Sequence, residues 1–455
     1  MHPSSEPQPP PALVVISGAG GMPASDRPTP PSTARLLKAL PAAQRVLQIG
    51  DDGGALQHEY RARHPACHWL SCITLPDPAE QPFDAIVLAQ ALQSVDDPLL
   101  LLRSLSAWAH ERTQLVVDVA NEATLGLMQR IVEGDLTAEG SSALAGTQLR
   151  YGSAPSLYKL LMDAGWMPAL ADASQTTPPG NDAASVAAWS MADALGVPRA
   201  TAQRMLSTQR FTVRGQRCFD TAPAAAGQAR FTVVVPTTRE QQLRLNVERS
   251  PGLQEVDARI VSYRHASSPA EALAGSLAHV REDWVLLCHQ DVYFPSGFGE
   301  RLNALLDAVP PEQRARALIG FAGMGVNRET QGYDKAGFVI DRLHRFDHPA
   351  SDAAVSIDEL ALVVARDSVH RIDPKMGWHL WATDLCLAAI CHHQVFPRIV
   401  RLPLFHNSLN NFRLPGSFYE SAEKLLAKYP DFGPIPTLCG TLEPQFLAQA
   451  RHGCR

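Results

Sequence analysis

Three polar residues interrupt an apolar run in the second half of the chain. In the stretch LLCHQDVYFP, residues 286–295, the hydrophobic residues stop at His289, Gln290 and Asp291 and then resume. Because α/β folds usually bind ligands at the carboxyl edge of their sheet, a carboxylate at a strand end is a candidate ligand for a divalent cation. The alternative for Asp291 is an ordinary solvated strand end. His289 is better explained as a group that orients the site than as a ligand.

Further side chains that could serve a reaction follow in SIDELALVVARDSV, KMGWHLWATDLCLAAI and PLFHNSLNN. They are Asp358, Glu359, Trp378, His379, Trp381, Asp384 and His406. A carboxylate at a helix start can take a proton from a substrate hydroxyl, and an indole can stack on a sugar ring. His379 can equally be a hydrogen-bonded core residue. Imidazole is a minority ligand for hard cations, so two interpretations of His406 stay open: it is a metal ligand, or it binds no metal.

An α/β fold that begins near residue 230 has to position these residues. The patterns predict strands in FTVVVPTT, DARIVSYR and DWVLLCHQDVYF, and helices in SSPAEALAGSLAHV and SGFGERLNALLDAV. Ser268 is suited to cap the first of these helices, and Pro269 is suited to its first position. The spacing of the second strand and its helix is typical of a doubly wound nucleotide-binding sheet.

The first half of the chain also alternates strand and helix patterns. Strands are predicted in RVLQIGDD, FDAIVLAQ and TQLVVDVAN, and helices in SVDDPLLLLRSLSAWA and SLYKLLMDAGW. This alternation predicts an α/β, Rossmann-like domain with a mostly parallel sheet between helices. Composition shifts divide the chain into a mobile tail at 1–34, a first domain at 35–172, a linker with a helical hairpin at 173–229 and a second domain at 230–455.

Composition narrows the possible partners. The formal net charge of -6 and the pI near 6.2 give no general attraction to nucleic acid or to an anionic membrane, so neither partner is expected. No segment approaches the roughly 18 uninterrupted apolar residues of a membrane-spanning helix, and a cytoplasmic protein is expected. The eight cysteines form no CxxC pair, which favours free thiols over a zinc site. A homo-oligomer remains open.

The first domain resembles class I S-adenosylmethionine (SAM)-dependent methyltransferases. QIGDDGG stands at the glycine-rich cofactor loop, FDAIVLAQALQSVDDP is similar to the fourth-strand motif, and LYKLLMDAGW to the late helix. The family pattern has an acid at the end of the first strand, where this chain has Gln48, and GxGxG, where it has only Gly50, Gly53 and Gly54. HWLSCI also lacks the acid that binds the ribose. These departures predict a degenerate scaffold in which SAM is not expected as a cofactor.

The second domain resembles GT-A glycosyltransferases, in particular the family-two-like domain of streptomycin-biosynthesis proteins, whose hallmark is a strand running into HQD. The resemblance implies that Asp291 binds Mn²⁺ or Mg²⁺ and that His406 supplies a second ligand. The ion would neutralise the leaving nucleotide diphosphate. The resemblance makes Asp384 the general base, with Glu359 and Asp358 as substitutes.

The same resemblance assigns the remaining site residues. The nucleotide-sugar side would consist of Pro236, Thr237, Ser267, Gly275 and Gln290. The acceptor side would consist of Trp378, His379, Trp381 and Asp358.

The predicted function is a metal-dependent glycosyltransferase that moves a sugar from a nucleotide-sugar donor to a hydroxyl acceptor, with inversion, in surface glycan synthesis. One alternative is a SAM-dependent methyltransferase acting on a glycan. Another is a non-catalytic scaffold that uses both folds for interaction. Fold and motif set the class of chemistry, whereas loops set the donor and acceptor.

Overall fold

The computed structural model describes residues 31–50, 53–75, 81–89, 91–93, 95–121, 123–133, 153–175, 180, 182–218, 227–408 and 414–447. The chain divides into two compact units, Met1–Asp220 and Thr221–Arg455. Most of the tail predicted at 1–34 lies outside the described residues, and its last four residues begin a helix. In the described parts of the chain, no helix is long and apolar enough to cross a membrane.

The first unit is built from strands and helices that mostly alternate along the chain. Its strands are β1 (Arg45–Ile49), β2 (His68–Cys72), β3 (Phe83–Ala89), β4 (Ala109–Ala120), β5 (Trp166–Gln175) and β6 (Thr208–Arg217). Its helices are α1 (Pro31–Ala39), α2 (Ala55–Arg63), α3 (Pro98–Ser104), α4 (Leu125–Glu133), α5 (Ala154–Asp163), α6 (Ala183–Ala194) and α7 (Arg199–Ser207).

One sheet forms the centre of the first unit, in the order β2-β1-β3-β4-β6-β5. Strands β2, β1, β3 and β4 are parallel, whereas β6 runs antiparallel to both β4 and β5. Val46, Leu47, Ile86 and Val87 on the central strands are fully buried, as expected for a parallel sheet covered on both faces. The predicted mixed α/β architecture is therefore present in this unit.

The segment predicted as a linker differs from the prediction. Helices α6 and α7 form the expected pair, but the following residues form β6, which lies between β4 and β5. Phe211 and Val213 of β6 are buried, while Arg214 on the same strand is exposed, so the strand has the two faces of a sheet member. The predicted boundary at 172 therefore shifts, because the units divide after Asp220.

The second unit contains many short strands. They are β7 (Phe231–Thr237), β8 (Ile260–Arg264), β9 (Trp284–Cys288), β10 (Val292–Tyr293), β11 (Leu318–Gly320), β12 (Ala322–Asn327), β13 (Gly332–Asp341), β14 (His344–His348), β15 (Ala354–Ile357), β16 (Ala361–Ala365), β17 (Arg398–Ile399), β18 (Leu404–His406), β19 (Ile435–Thr437) and β20 (Gly440–Leu442). Its helices are α8 (Glu240–Leu245), α9 (Pro251–Gln254), α10 (Pro269–Ser276), α11 (Phe298–Asp307), α12 (Pro311–Arg314), α13 (Trp381–His393) and α14 (Gly416–Lys428). The Ser268 side chain accepts from the backbone N–H of Glu271, so the predicted cap of α10 is present.

Two larger sheets make up this unit. The first has the order β17-β11-β16-β9-β7-β8, with β7 parallel to both β8 and β9 and β16 antiparallel to β9. From β7 the chain passes to β8 on one side and then to β9 on the other. The carboxyl ends of β7 and β9 therefore flank a topological switch point, where open α/β sheets bind ligands.

The second sheet of the unit has the order β10-β18-β13-β12-β15, with β14 added beside β13. The link from β9 to β10 carries the chain from the first sheet to the second within four residues, from Cys288 to Val292. The site described below lies at this crossing.

Candidate functional site

The crossing between the two sheets brings the two predicted metal ligands together. His289, Gln290 and Asp291 form the link between β9 and β10. In the antiparallel pair of β10 and β18, Val292 lies opposite His406. The His406 Nε2 atom is consequently 3.4 Å from Asp291 Oδ1, and the Asn407 backbone N–H donates to the Asp291 carbonyl at 2.8 Å.

His289 joins the same cluster. Its ring centroid is 5.8 Å from that of His406, and one ligand atom from each of His289, Asp291 and His406 lies within 4.8 Å of the others. We call these three residues the HDH cluster. The sequence suggested an orienting role for His289, whereas the structure places it where it can itself contact an ion. Two imidazoles and one carboxylate form a donor set suited to a divalent transition metal.

Asp341 was missed by the sequence reasoning. It is the last residue of β13 and lies beside His406 in the parallel pair of β13 and β18. Its Oδ1 atom is 3.5 Å from His406 Nδ1. The available signal was a carboxylate ending the apolar run GFVID, the same type of signal that singled out Asp291.

The charges of the cluster act strongly on one another. Burial disfavours the charged form of His406, but the carboxylates of Asp291, Asp341 and Asp358 outweigh it and raise the pKa of His406 to about 9. Burial opposes ionisation of Asp291 as well, yet the neighbouring His406 and His289 hold the pKa of Asp291 well below its usual range. Burial lowers the pKa of His289 and raises that of Asp341. The site thus gathers carboxylates around imidazoles, an environment that attracts cations.

Gln290 connects the two strands at the switch point. Its Oε1 atom accepts from the backbone N–H groups of Thr238 and Arg239 at 2.9 and 2.7 Å, and its Nε2 donates to the Thr238 hydroxyl at 3.0 Å. Gln290 therefore fixes the loop after β7, which borders the predicted nucleotide pocket. Pro236 and Thr237 end β7 as predicted, but the Thr237 hydroxyl donates to the Val235 carbonyl and is buried.

The two predicted nucleotide contacts at α10, Ser267 before the helix and Gly275 within it, have local roles in the structure. The backbone N–H and hydroxyl of Ser267 both donate to Glu271. Gly275 packs against Tyr263, where an added Cβ would lie 2.3 Å from the ring. Both residues thus serve the start and the packing of α10.

Asp384, predicted as the general base, is part of a contact between α13 and α14. Its side chain is 1% exposed. Lys428 Nζ lies 2.8 Å from Oδ1 and donates to Oδ2 at 3.0 Å, and the Tyr429 hydroxyl donates to Oδ1 at 2.9 Å. Both oxygens are therefore occupied inside the protein, and this geometry supports a structural role instead of the predicted catalytic one.

Glu359, the predicted substitute, is in a different situation. Its backbone neighbour Leu360 accepts from the His289 N–H at 2.9 Å, so Glu359 lies directly across from the HQD link. Burial and the charge of Asp358 raise the pKa of Glu359 well above the ordinary value. The backbone N–H groups of Leu380 and Trp381 act in the opposite direction, but they do not outweigh the burial. The Oε1 atom of Glu359 is buried and has no hydrogen-bond partner within the part of the chain that the structure describes, and the residue lines a pocket.

The predicted acceptor-side residues fall into two groups. Trp378 is 38% exposed, whereas Trp381 is 2% exposed and belongs to the core. Burial lowers the pKa of His379, and the charge of His289 adds to this effect. Asp358 accepts from the backbone N–H of Leu360 at 3.0 Å. Trp378, His379 and Asp358 thus remain candidates for contacting a substrate, while Trp381 packs the interior.

In the first unit, the predicted cofactor loop follows β1. Gly50 has a φ of +96°, and an added Cβ would lie 2.4 Å from the Ala89 carbonyl oxygen at the end of β3. Only glycine fits this approach without strain. Gln48, which replaces the expected acid, is buried and donates to the Gly50 carbonyl at 3.3 Å while accepting from Trp69. Asp51 and Asp52 lie outside the described residues.

Solved structures similar to part of this chain include methyltransferases. A SAM-dependent methyltransferase from Thermotoga maritima, a possible histamine N-methyltransferase, has a TM-score of 0.25 and 14% identity over 41% of this chain and 89% of its own. The plantazolicin methyltransferase BpumL in complex with SAH has a TM-score of 0.26 and 10% identity, over 41% of this chain and 85% of BpumL. Human N-acetylserotonin methyltransferase in complex with SAM has a TM-score of 0.25 and 14% identity, over 42% of this chain and 52% of the human enzyme.

No protein-family model and no curated protein matches the sequence. TM-scores of this size carry no argument about activity. The expectation that SAM is not a cofactor is nevertheless corrected by these comparisons, because the similar structures cover the N-terminal part of the chain and two of them hold SAM or SAH. The three similar structures are all methyltransferases, so the resemblance of the second unit to glycosyltransferases stays a prediction.

Proposed function

We propose that the second unit is a metal-dependent glycosyltransferase that transfers a sugar from a nucleotide-sugar to a hydroxyl acceptor. The observation that carries this proposal is the HDH cluster at the switch point between β7 and β9. A cation held there would face the pocket in which a doubly wound sheet binds a nucleotide. Surface glycan synthesis is the setting that the resemblance implies.

The residues present fit a divalent cation. His289, Asp291 and His406 would hold the ion through two imidazole nitrogens and one carboxylate oxygen, and its remaining positions would be open to a substrate that carries phosphate. Mn²⁺ accepts both nitrogen and oxygen ligands, whereas Mg²⁺ favours an all-oxygen shell. A bound ion would stabilise the negative charge that develops on the departing nucleotide diphosphate.

In this proposal Glu359 takes the proton of the acceptor hydroxyl, in place of Asp384. Among the described residues its Oε1 atom has no hydrogen-bond partner, it lines a pocket together with Asp358, and its backbone lies across from the HQD link. The raised pKa makes the ionised carboxylate of Glu359 a stronger base than an ordinary glutamate, and this ionised form is the one that takes the proton. The exposed ring of Trp378 is available to stack on a sugar.

Thermal unfolding with Mn²⁺, with and without UDP or GDP, tests the metal site. Ligands that bind the native state raise the melting temperature, so Mn²⁺ should raise that of the wild type and have no effect on Asp291→Ala. Asp367→Ala, which removes an exposed aspartate outside the cluster, is the matched control and should respond like the wild type. An unchanged Mn²⁺ response in Asp291→Ala would remove the cluster from the proposal.

Nucleotide-diphosphate release from a panel of donor sugars tests the chemistry. Glu359→Gln should lower the rate by about 10²–10⁴-fold while keeping the Mn²⁺ response, because a general base contributes in this range. Release by Glu359→Gln at the wild-type rate excludes it as the base. No release by the wild type with any donor, despite Mn²⁺ binding, favours the scaffold alternative for this unit.

We propose as a second function that the first unit binds SAM and transfers its methyl group. The loop after β1 supports this, because Gly53 and Gly54 both have a positive φ and an added Cβ at either would meet no described atom within 4 Å, so a ligand can lie close to the backbone there. Isothermal titration of the full chain with SAM and SAH provides the test. Saturable binding of either supports the proposal, and the absence of binding leaves this unit as a scaffold.

A further inference from the structure

His406 is held from both sides of its ring. Its Nε2 atom lies 3.4 Å from Asp291 Oδ1, and its Nδ1 atom lies 3.5 Å from Asp341 Oδ1. The two nitrogens of an imidazole point in different directions. A carboxylate on the Nδ1 side therefore does not share an ion bound at Nε2. Asp341 is accordingly not among the three described residues whose ligand atoms lie together.

The backbone fixes the contact between Asp341 and His406. Strands β13 and β18 pair in parallel, and the register of three consecutive pairs ends with Asp341 beside His406. Ile340 and Phe405, the preceding pair, are fully buried. The Arg342 N–H then donates to the His406 carbonyl at 3.0 Å. The relative position of the two side chains is thus set by packed strands and not by a free loop.

We propose that Asp341 is a positioning residue of the metal site: it accepts the Nδ1–H of His406 and so keeps Nε2 unprotonated and directed at the ion. Neutral imidazole carries one proton, and a carboxylate at Nδ1 selects the tautomer whose lone pair is on Nε2. The same hydrogen bond makes the imidazole a stronger donor to the ion. This inference rests on the proposed function because the ion is the one that the HDH cluster would bind.

Mn²⁺ affinity of the full chain measures this role. The electron paramagnetic resonance signal of free Mn²⁺ gives the dissociation constant directly, without turnover. Asp341→Ala should weaken Mn²⁺ binding by about 10–100-fold, the usual effect of losing a carboxylate partner of a ligating histidine. Asp341→Asn should fall between Asp341→Ala and the wild type, because its amide oxygen still accepts a hydrogen bond but carries no charge. Asp334→Asn, an exposed position on the same strand, should match the wild type.

Nitrogen NMR of the histidine ring provides a second readout that a purely structural role would not move. In the wild type with Zn²⁺, a diamagnetic probe, the Nδ1–H proton of His406 should be shifted downfield and exchange slowly with water because Asp341 accepts it, and Asp341→Ala should lose both properties. Mn²⁺ affinity unchanged in both Asp341 variants overturns the inference, as does a wild type that does not bind Mn²⁺ at all. Should Asp341→Ala fail to fold, Asp341→Asn decides by the same criterion. If Mn²⁺ affinity depends on Asp341 but no donor is turned over, the inference stands and the glycosyltransferase proposal fails.

Discussion

Removing either partner of the ion pair between Asp384 and Lys428 should destabilise the protein by a different amount. The Asp384 side chain is 1% exposed and that of Lys428 is 36% exposed. Lys428 also lies 2.8 Å from Asp373. Removing the lysine charge therefore leaves a buried carboxylate, whereas removing the carboxylate charge leaves an ammonium group that reaches water and a second acid. Lys428→Met should be the more destabilising change.

The expected magnitudes follow from what each variant leaves unpaired. Breaking a buried ion pair so that one charge stays buried costs about 3–5 kcal/mol. The Tyr429 hydroxyl still donates to Asp384, and one such bond to a charged group is worth about 1.5 kcal/mol, so about 1.5–3.5 kcal/mol is expected for Lys428→Met. Asp384→Asn should cost about 1–2 kcal/mol, because it keeps the side-chain shape. The double variant should be more stable than Lys428→Met alone.

Urea unfolding of the wild type and the three variants gives these free energies, and hydrogen exchange of α13 peptides assigns the transition to the second unit. Equal losses for Lys428→Met and Asp384→Asn, or additive losses in the double variant, would refute the reasoning. The same variants decide the catalytic question. Folded Asp384→Asn should release nucleotide diphosphate at a rate close to the wild type, and a loss of about 10²-fold or more would return Asp384 to the role of base.

Two further outcomes are expected. The pKa of His406 is raised to about 9, so its protonated form contributes stability that is fully present below the unfolded pKa of about 6.5 and is lost as the pH rises towards 9. Because Mn²⁺ competes with the Nε2 proton, the rise in melting temperature that Mn²⁺ causes should become larger from about pH 6.5 to about pH 8.5. A rise in melting temperature that does not change with pH would contradict this. Gly50→Ala should cost about 2–3 kcal/mol, because it combines a positive φ with an approach to the Ala89 oxygen, whereas Gly53→Ala, which has a positive φ but open space around it, should cost about 1 kcal/mol in urea unfolding; equal costs would show that the approach is not strained.

Local patterns were sufficient to single out two residues that the fold brings together, Asp291 and His406. Asp291 and His406 each follow a short apolar run, and such runs become buried strands whose ends lie at a sheet edge. The Ser268 cap depends only on a neighbouring backbone N–H, so four residues of sequence contain it. Predictions of this kind hold because the physical cause lies within one element.

Long-range pairing determined what the sequence did not show. Asp341 resembles any other strand-end acid until the register of β13 and β18 places it beside His406. Asp384 has the sequence position of a helix-start acid, but Lys428 of α14, which is distant in sequence, contacts both of its carboxylate oxygens. The segment that becomes β6 is bounded by helices and linkers in sequence, and its pairing with β4 and β5 decides that it is a strand.

The residues of the HDH cluster belong to two different sheets, so an ion bound to all three would link these sheets. His289 and Asp291 leave the first sheet at the end of β9, while His406 belongs to the second sheet. The strand pair that joins them, β10 with β18, has a register of two residues. A cation bound by all three side chains would therefore add a link where the backbone connection is short. We expect Mn²⁺ to slow hydrogen exchange in the β9–β10 link and in β18 together, because opening either side breaks the same site. Protection confined to one side would mean that the ion is held by that sheet alone.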